Sequence, residues 1–395
     1  MIGTAGRDRT GAEAGDGSYV AFDALRCLAA GEVLFGHALN LFVTSSLEGV
    51  HGGLRLVHVV ASFGHQAVIA FFVLSGFWIS KSVAERHAQG RWSWSGYGID
   101  RLSRLWVVLI PALVVGGALD TLSLGLARFP YAALGPTILG GDFASRLTPT
   151  IFLGNALFLQ KLAVPMFGSN TALWSLANEF WYYLWLPALV GLALRRIALV
   201  PTLVAAASLI AFPSLTPGFL CWLCGSALYA VSVRWRPPAW AAWPAILGAA
   251  ACLIAIRWWT DGADLLVAGV VAAALWCARD LDSRLLRPLA AFGRKASYSL
   301  YVCHIPILVL MAGLLLPGRR LQLSVGTLLE VAGACALLIA CAWAFSRLTE
   351  AHTGAVRRWV RATLPPAAAI SARRPWPARH RGPPPQSAGA EADRP

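Results

Sequence analysis

A run of apolar stretches, each long enough to cross a bilayer, is what most constrains this chain. A membrane-spanning helix needs about 20 mostly apolar residues. Ten such stretches can be read, at 19–43, 63–82, 103–125, 171–194, 197–213, 215–233, 240–257, 261–278, 296–316 and 322–346. Lipid offers no partner to a backbone N–H or C=O, so segments of this kind must fold as helices that satisfy their own hydrogen bonds. The composition agrees: 57% of residues are hydrophobic, 13% are charged and the mean hydropathy is +0.61. That is too apolar for a water-facing surface. The expected fold is an all-α polytopic membrane protein, about ten transmembrane helices in one bundle.

The net charge of +14 does not mark a nucleic-acid binder, because the basic residues lie between apolar runs and not on one soluble face. They report orientation instead. With the N-terminus inside, 26 of the 33 basic residues fall on the inner side and seven outside. Both termini are therefore expected to be cytoplasmic. Residues 1–18 read as a flexible N-terminus without a signal-peptide core, 19–346 as the membrane domain, and 347–395 as a basic Pro/Arg-rich tail. The outer loop at about 126–170 contains the semi-apolar IFLGNALFLQ and is long enough to serve a function. All eight cysteines sit in apolar runs. They lack zinc spacing and read as small packing residues, with no metal required.

Charges inside the first stretch, FDALRCLAAGEVLFGH, call for a reason, since ionisable groups in lipid are costly. Asp23 can pair with Arg26 at i, i+3. Arg26 and His37 are eleven residues apart, three turns plus about 20°, so they share a face with a rise of about 16 Å. An anionic head held at the inner surface and a reactive end near the imidazole would suit a long ligand such as acyl-CoA. Snorkelling at the boundary and a packed structural histidine are the plainer explanations for each residue alone. Glu32 falls on another face and gains no role from spacing.

Four further stretches carry polar residues. FFVLSGF (71–77) offers Ser75 and Gly76 for close helix approach. DRLSRLW (100–106) puts Arg101 and Arg104 at an expected helix start, suited to phosphate, although the positive-inside rule alone would also place them there. LWSLANEFWYYLW (173–185) holds Glu179 within a span, with Ser175 one turn before it; the carboxylate should face the bundle interior and could orient a histidine or accept a proton. Its tryptophans and tyrosines suit an interface belt better than a sugar platform. SYSLYVCHIP (297–306) brings Ser297, Tyr298 and His304, with Pro306 loosening the helix. A structural histidine is again the plain alternative.

Together these five motifs, in this order over roughly 20–346, resemble the membrane acyltransferase 3 family. The first matches its "DGLRGIAAL…H" pattern through Arg26 and His37, and residues 71–77 match its "FFVLSGF" signature outright. Arg101 and Arg104 form its RxxR. Ser175, Glu179 and Tyr182 follow its "SLxxExxFY", and 297–306 follow its "SYSLYLxHxP". Ala24 and Cys27 depart from the usual glycines, and Asn178 and Phe180 flank Glu179 where other residues are common. No soluble hydrolase-like domain follows, as in stand-alone members.

The resemblance implies transfer of an acyl group, commonly acetyl, from acyl-CoA to a carbohydrate or other hydroxyl. His37 would be catalytic with Glu179 in support. Arg26, Arg101 and Arg104 would hold CoA, and Asp23, Ser75, Ser175, Ser297, Tyr298 and His304 would have supporting roles. Acetyl-CoA enters as donor substrate and no cofactor is bound permanently. Partners are the donor, a glycosylated acceptor and the lipid bilayer, without nucleic acid. His37 can act as general base, or the acyl group can pass through a covalent enzyme intermediate. The rival class is a saccharide or lipid transporter or flippase, which needs no acyl-CoA. A structural partner in polysaccharide synthesis is a third reading.

Overall fold

A computed structural model describes residues 19–44, 52–126, 131, 139, 141–256, 262–316 and 318–364. Thirteen α-helices are found among them: α1 Val20–Phe42, α2 Gly53–Val60, α3 Gly64–Ala88, α4 Trp94–Gly125, α5 Pro149–Ala156, α6 Trp174–Ala193, α7 Leu199–Ala211, α8 Thr216–Arg234, α9 Ala242–Ile256, α10 Asp264–Cys277, α11 Leu286–Leu315, α12 Val325–Leu348 and α13 Thr353–Thr363. Extended pairing among the described residues is limited to two isolated bridges.

A helix stands at each of the ten apolar stretches, but among the described residues not every one is long and apolar enough by itself to mark a span. Six segments are long and apolar enough to cross a membrane: Gly53–Ala88, Trp94–Gly125, Pro213–Arg234, Ala239–Ile256, Leu286–Leu315 and Val325–Thr363. The four others fall short for two reasons. α7 and α10 have only 13 and 14 residues. α1 and α6 are long enough but carry Asp23, Arg26, Glu32, Asn178 and Glu179, the polar groups that single them out chemically.

α11 is the centre of the bundle, packed against α1, α4 and α12. Two apolar clusters flank it. One joins α3, α4, α6, α8 and α10 around Trp222, Tyr182 and Phe77. The other joins α1, α11 and α12. Large apolar side chains on α7, α9 and α12 point outward, among them Ile210, Leu247 and Leu329, as a lipid-facing surface requires.

Three local devices set the packing. At the α3–α8 crossing, a Cβ on Gly76 would fall onto the Trp222 carbonyl oxygen, and one on Gly225 onto that of Val73; the backbones touch, as small residues permit in membranes. Near the C-terminal end of α4, Asp120 accepts from the Ser169 amide and hydroxyl, each at 2.7 Å. Arg146, buried beneath the same loop, donates to the Leu139 carbonyl. Burial pushes its pKa down while the Asp120 and Asp142 carboxylates oppose the shift. Finally, Glu32 accepts from the Phe63 amide at 3.2 Å. Phe63 caps α3, so the carboxylate complements the positive end of that helix.

The Gly76 contact predicts that Gly76→Ala lowers stability by about 1–3 kcal/mol through overpacking. Gly248→Ala should be neutral or slightly stabilising, since a Cβ there meets nothing within 4 Å. Thermal unfolding of the purified protein in detergent, followed for both variants, checks the contrast.

Candidate active site

The α1–α11 seam brings the charged motifs together. A Cβ on Gly293 of α11 would meet the Asp23 carbonyl oxygen, so the backbones run in contact at the first turn of α1 and about two turns into α11. Asp23 is 6% exposed. Its carboxylate accepts from Arg26 at 3.1 Å, as the i, i+3 spacing predicts, and from Arg294 at 3.2 Å. Arg26 is thereby fixed with its charge only partly neutralised.

A cavity of about 790 Å³ opens beside this pair. Arg26, Arg101 and Arg104 all line it, together with Arg86 and Arg294, which the motifs did not single out. Seven basic and three acidic residues contribute to the walls, so the cavity favours an anion. The arginines come from the second turn of α1, the last turn of α3 and positions two or more turns into α4 and α11, which places these parts of the helices on one side of the bundle. One expectation is corrected. α4 begins at Trp94, where Ser93 accepts from the Gly96 amide. Arg101 and Arg104 therefore lie about two turns inside the helix. Their side chains, and not free helix-terminal amides, face the cavity.

Deeper in, the lining turns to hydroxyls. Glu179 accepts from Ser75 at 2.8 Å and from the Tyr183 hydroxyl. Ser175 and Tyr301 share a hydrogen bond of 2.7 Å. Ser297 turns back to the Gly293 carbonyl, and Tyr298 donates to the Leu105 carbonyl of α4. Glu179 is thus a partner of Ser75 and Tyr183, and the pairing of His37 is a different one.

That pairing is with His304. His37 Nδ1 lies 3.1 Å from His304 Nε2, and His304 Nδ1 lies 2.7 Å from the Tyr301 carbonyl oxygen. A carbonyl only accepts, so His304 Nδ1 carries a proton. In the neutral ring Nε2 is then an acceptor, and His37 Nδ1 must donate to it. The consequence is chemical: His37 Nε2 keeps its lone pair. His304 is 1% exposed, whereas His37 is only half-buried. Neither ring lines the arginine cavity. Tyr301 does, and its ring meets that of His304 at 5.8 Å and that of Phe71 at 5.7 Å. The cavity therefore ends one side chain short of the histidine pair, so Arg26 and His37 share a helix but not a cavity wall.

Pro306 sits two residues beyond His304 and has no N–H for the Val302 carbonyl one turn before it. Asn170, in the segment between α5 and α6, fills that gap, donating from Nδ2 to the Val302 carbonyl at 2.7 Å. α6 repeats the arrangement: Pro187 leaves the Tyr183 carbonyl free, and the Tyr97 hydroxyl donates to it at 2.9 Å. Asn170 carries no motif signal; only the proline in a buried helix announces that some donor must arrive. Among the described residues no group of three His, Cys, Asp or Glu could hold a metal ion.

Asn170→Ala should orphan the Val302 carbonyl and cost about 1–3 kcal/mol. Adding Pro306→Ala restores an N–H to bond that carbonyl, so the double variant should recover much of the loss. Thermal unfolding of the two single variants and the double closes the cycle, and strict additivity would refute the pairing.

The acyltransferase domain model of the acyltransferase 3 family matches residues 19–347. No curated protein and no solved structure shows significant similarity to the chain. The matched segment runs from the first turn before α1 to the end of α12 and contains every motif residue named above, so the chain belongs to the acyltransferase 3 family and is a membrane acyltransferase.

Proposed function

We propose that this protein moves an acyl group, acetyl by preference, from cytoplasmic acyl-CoA to a hydroxyl of a carbohydrate acceptor such as a surface or exported polysaccharide. The observation that supports the reading is the arginine cavity running toward a histidine pair. CoA carries its phosphates at one end and its thioester at the tip of a flexible arm. Arg26, Arg101 and Arg104 would take the phosphates by charge-assisted hydrogen bonds. The pantetheine arm would lie along the hydroxyl-lined depth toward Tyr301. The basic cavity would face the cytoplasm of a bacterial inner membrane with both termini inside, in keeping with the distribution of Lys and Arg, and all ten apolar helices would serve as spans.

His37 would act as general base through Nε2. It takes the proton of the acceptor hydroxyl as that oxygen attacks the thioester carbonyl. The carbon–sulfur bond breaks, the CoA thiolate leaves, and the proton passes from His37 to the sulfur. His304 holds the His37 tautomer and stabilises the imidazolium that forms, in the way a second group supports a catalytic histidine. Loss of a general base lowers rates by about 10²–10⁴-fold. No resident cofactor enters the scheme.

The experiment is acyl transfer followed by mass spectrometry of surface and secreted glycans, alongside CoA binding to the purified protein. His37→Gln should keep CoA binding and lose transfer by at least about 100-fold. Arg104→Ala should weaken CoA while leaving acetyl-pantetheine, which lacks the nucleotide phosphates, almost unaffected. Transfer near the wild-type rate in folded His37→Gln protein would overturn the catalytic assignment.

A further inference from the structure

The cavity's basic rim is held by carboxylates that the family motifs do not contain. Arg86, at the last turn of α3, donates to the Asp100 carboxylate. Asp100 is 7% exposed and immediately precedes Arg101. The same carboxylate accepts from Arg361 at 2.6 Å and faces Arg357 at 3.8 Å. Both arginines belong to α13, which packs on α4. A second carboxylate, Glu350, lies in the turn before α13. It accepts from the Ser299 hydroxyl at 3.0 Å, and Arg104 and Arg26 both act on it electrostatically.

These contacts come from residues 350–361, beyond the matched segment 19–347. A basic amphipathic helix at a membrane surface often serves only to sit on anionic headgroups. Here Arg357 and Arg361, exposed along their stems like Arg358 and Trp359, reach back with their guanidinium groups to the buried Asp100 carboxylate. The helix is thus bound to the rim of the cavity by specific ion pairs. A guanidinium on a long side chain loses much rotamer freedom when it grips a phosphate. One already anchored to a carboxylate has lost part of it before the ligand arrives. Arg26 and Arg104 bring like charges to one cavity wall, and the Glu350 carboxylate acts on both with the opposite sign.

We propose that Glu350–Arg361 is a working part of the donor site. Asp100 and Glu350 are positioning residues: Asp100, clamped by α13, holds Arg86, and Glu350, fixed by Ser299 of α11, balances the charges of Arg104 and Arg26, so that all three arginines serve the phosphates of a CoA thioester. The proposal rests on the donor reading above and extends the site past the family domain.

The test measures equilibrium binding of CoA and of acetyl-pantetheine to the full-length protein in nanodiscs, with thermal unfolding alongside. Removing a negative charge beside an anion site should tighten anion binding if only the field matters. Positioning predicts the opposite sign. Asp100→Asn and Glu350→Gln should each weaken CoA by about tenfold and leave acetyl-pantetheine unchanged, and Asp100→Glu should restore most of the loss. Unchanged or tighter CoA binding in both neutral variants overturns the proposal. So does a parallel loss of both ligands with a lowered unfolding temperature, which marks a structural brace. If Asp100→Asn does not fold, Glu350→Gln alone decides. A wild-type protein that does not bind CoA would overturn the donor reading itself, and the positioning roles with it.

Discussion

The contact between α1 and α11 is the constraint on which the site depends. Gly293 lets the two backbones touch at the level of Asp23, and the Asp23 carboxylate joins Arg26 to Arg294 there. About 21 Å further along α1, His37 meets His304 across the same seam. Charged and titratable groups are expensive within a bilayer, and each of these is tolerated because the other helix supplies its partner. The same pairing that permits burial also fixes geometry, so one helix pair sets both the electropositive end and the imidazole end of the site.

Proline adds a second layer of control. Pro306 and Pro187 each free a carbonyl in a packed helix. The donors that answer, Asn170 and Tyr97, come from distant parts of the chain. Asn170 belongs to the loop that Asp120 grips through Ser169. The segment between α5 and α6 is thereby tied to the turn of α11 that carries His304. Tyr97 ties the first turn of α4, ahead of Arg101, to the Glu179 helix.

Much of this was legible in the sequence, for identifiable reasons. Apolar length located the ten helices, and charges within apolar runs pointed to Asp23, Arg26 and Glu179, because burial makes such residues rare. Spacing found the Asp23–Arg26 pair, since i, i+3 contacts are local. What spacing could not supply was contact between helices. Glu32 had no role until the Phe63 amide was seen beside it. His304 looked structural, and its place against His37 depends on how α1 and α11 cross. The start of α4 was set too late because WSGYGID is too polar to read as a span, although Ser93 caps it well. Arg86 and Glu350 lie outside every motif; only the assembled cavity shows which charges they share.

The central claim is that a CoA thiol can travel from the arginine rim to the wall beside the histidine pair, where Tyr301 meets His304. Disulfide trapping tests it directly. Tyr301→Cys protein, incubated with oxidised CoA and analysed by peptide mass spectrometry, should carry a CoA mixed disulfide at position 301, and Arg104→Ala in the same background should sharply reduce it. CoA adducts at native cysteines with none at position 301 would contradict the account, because the donor's reactive end would then not reach the histidines.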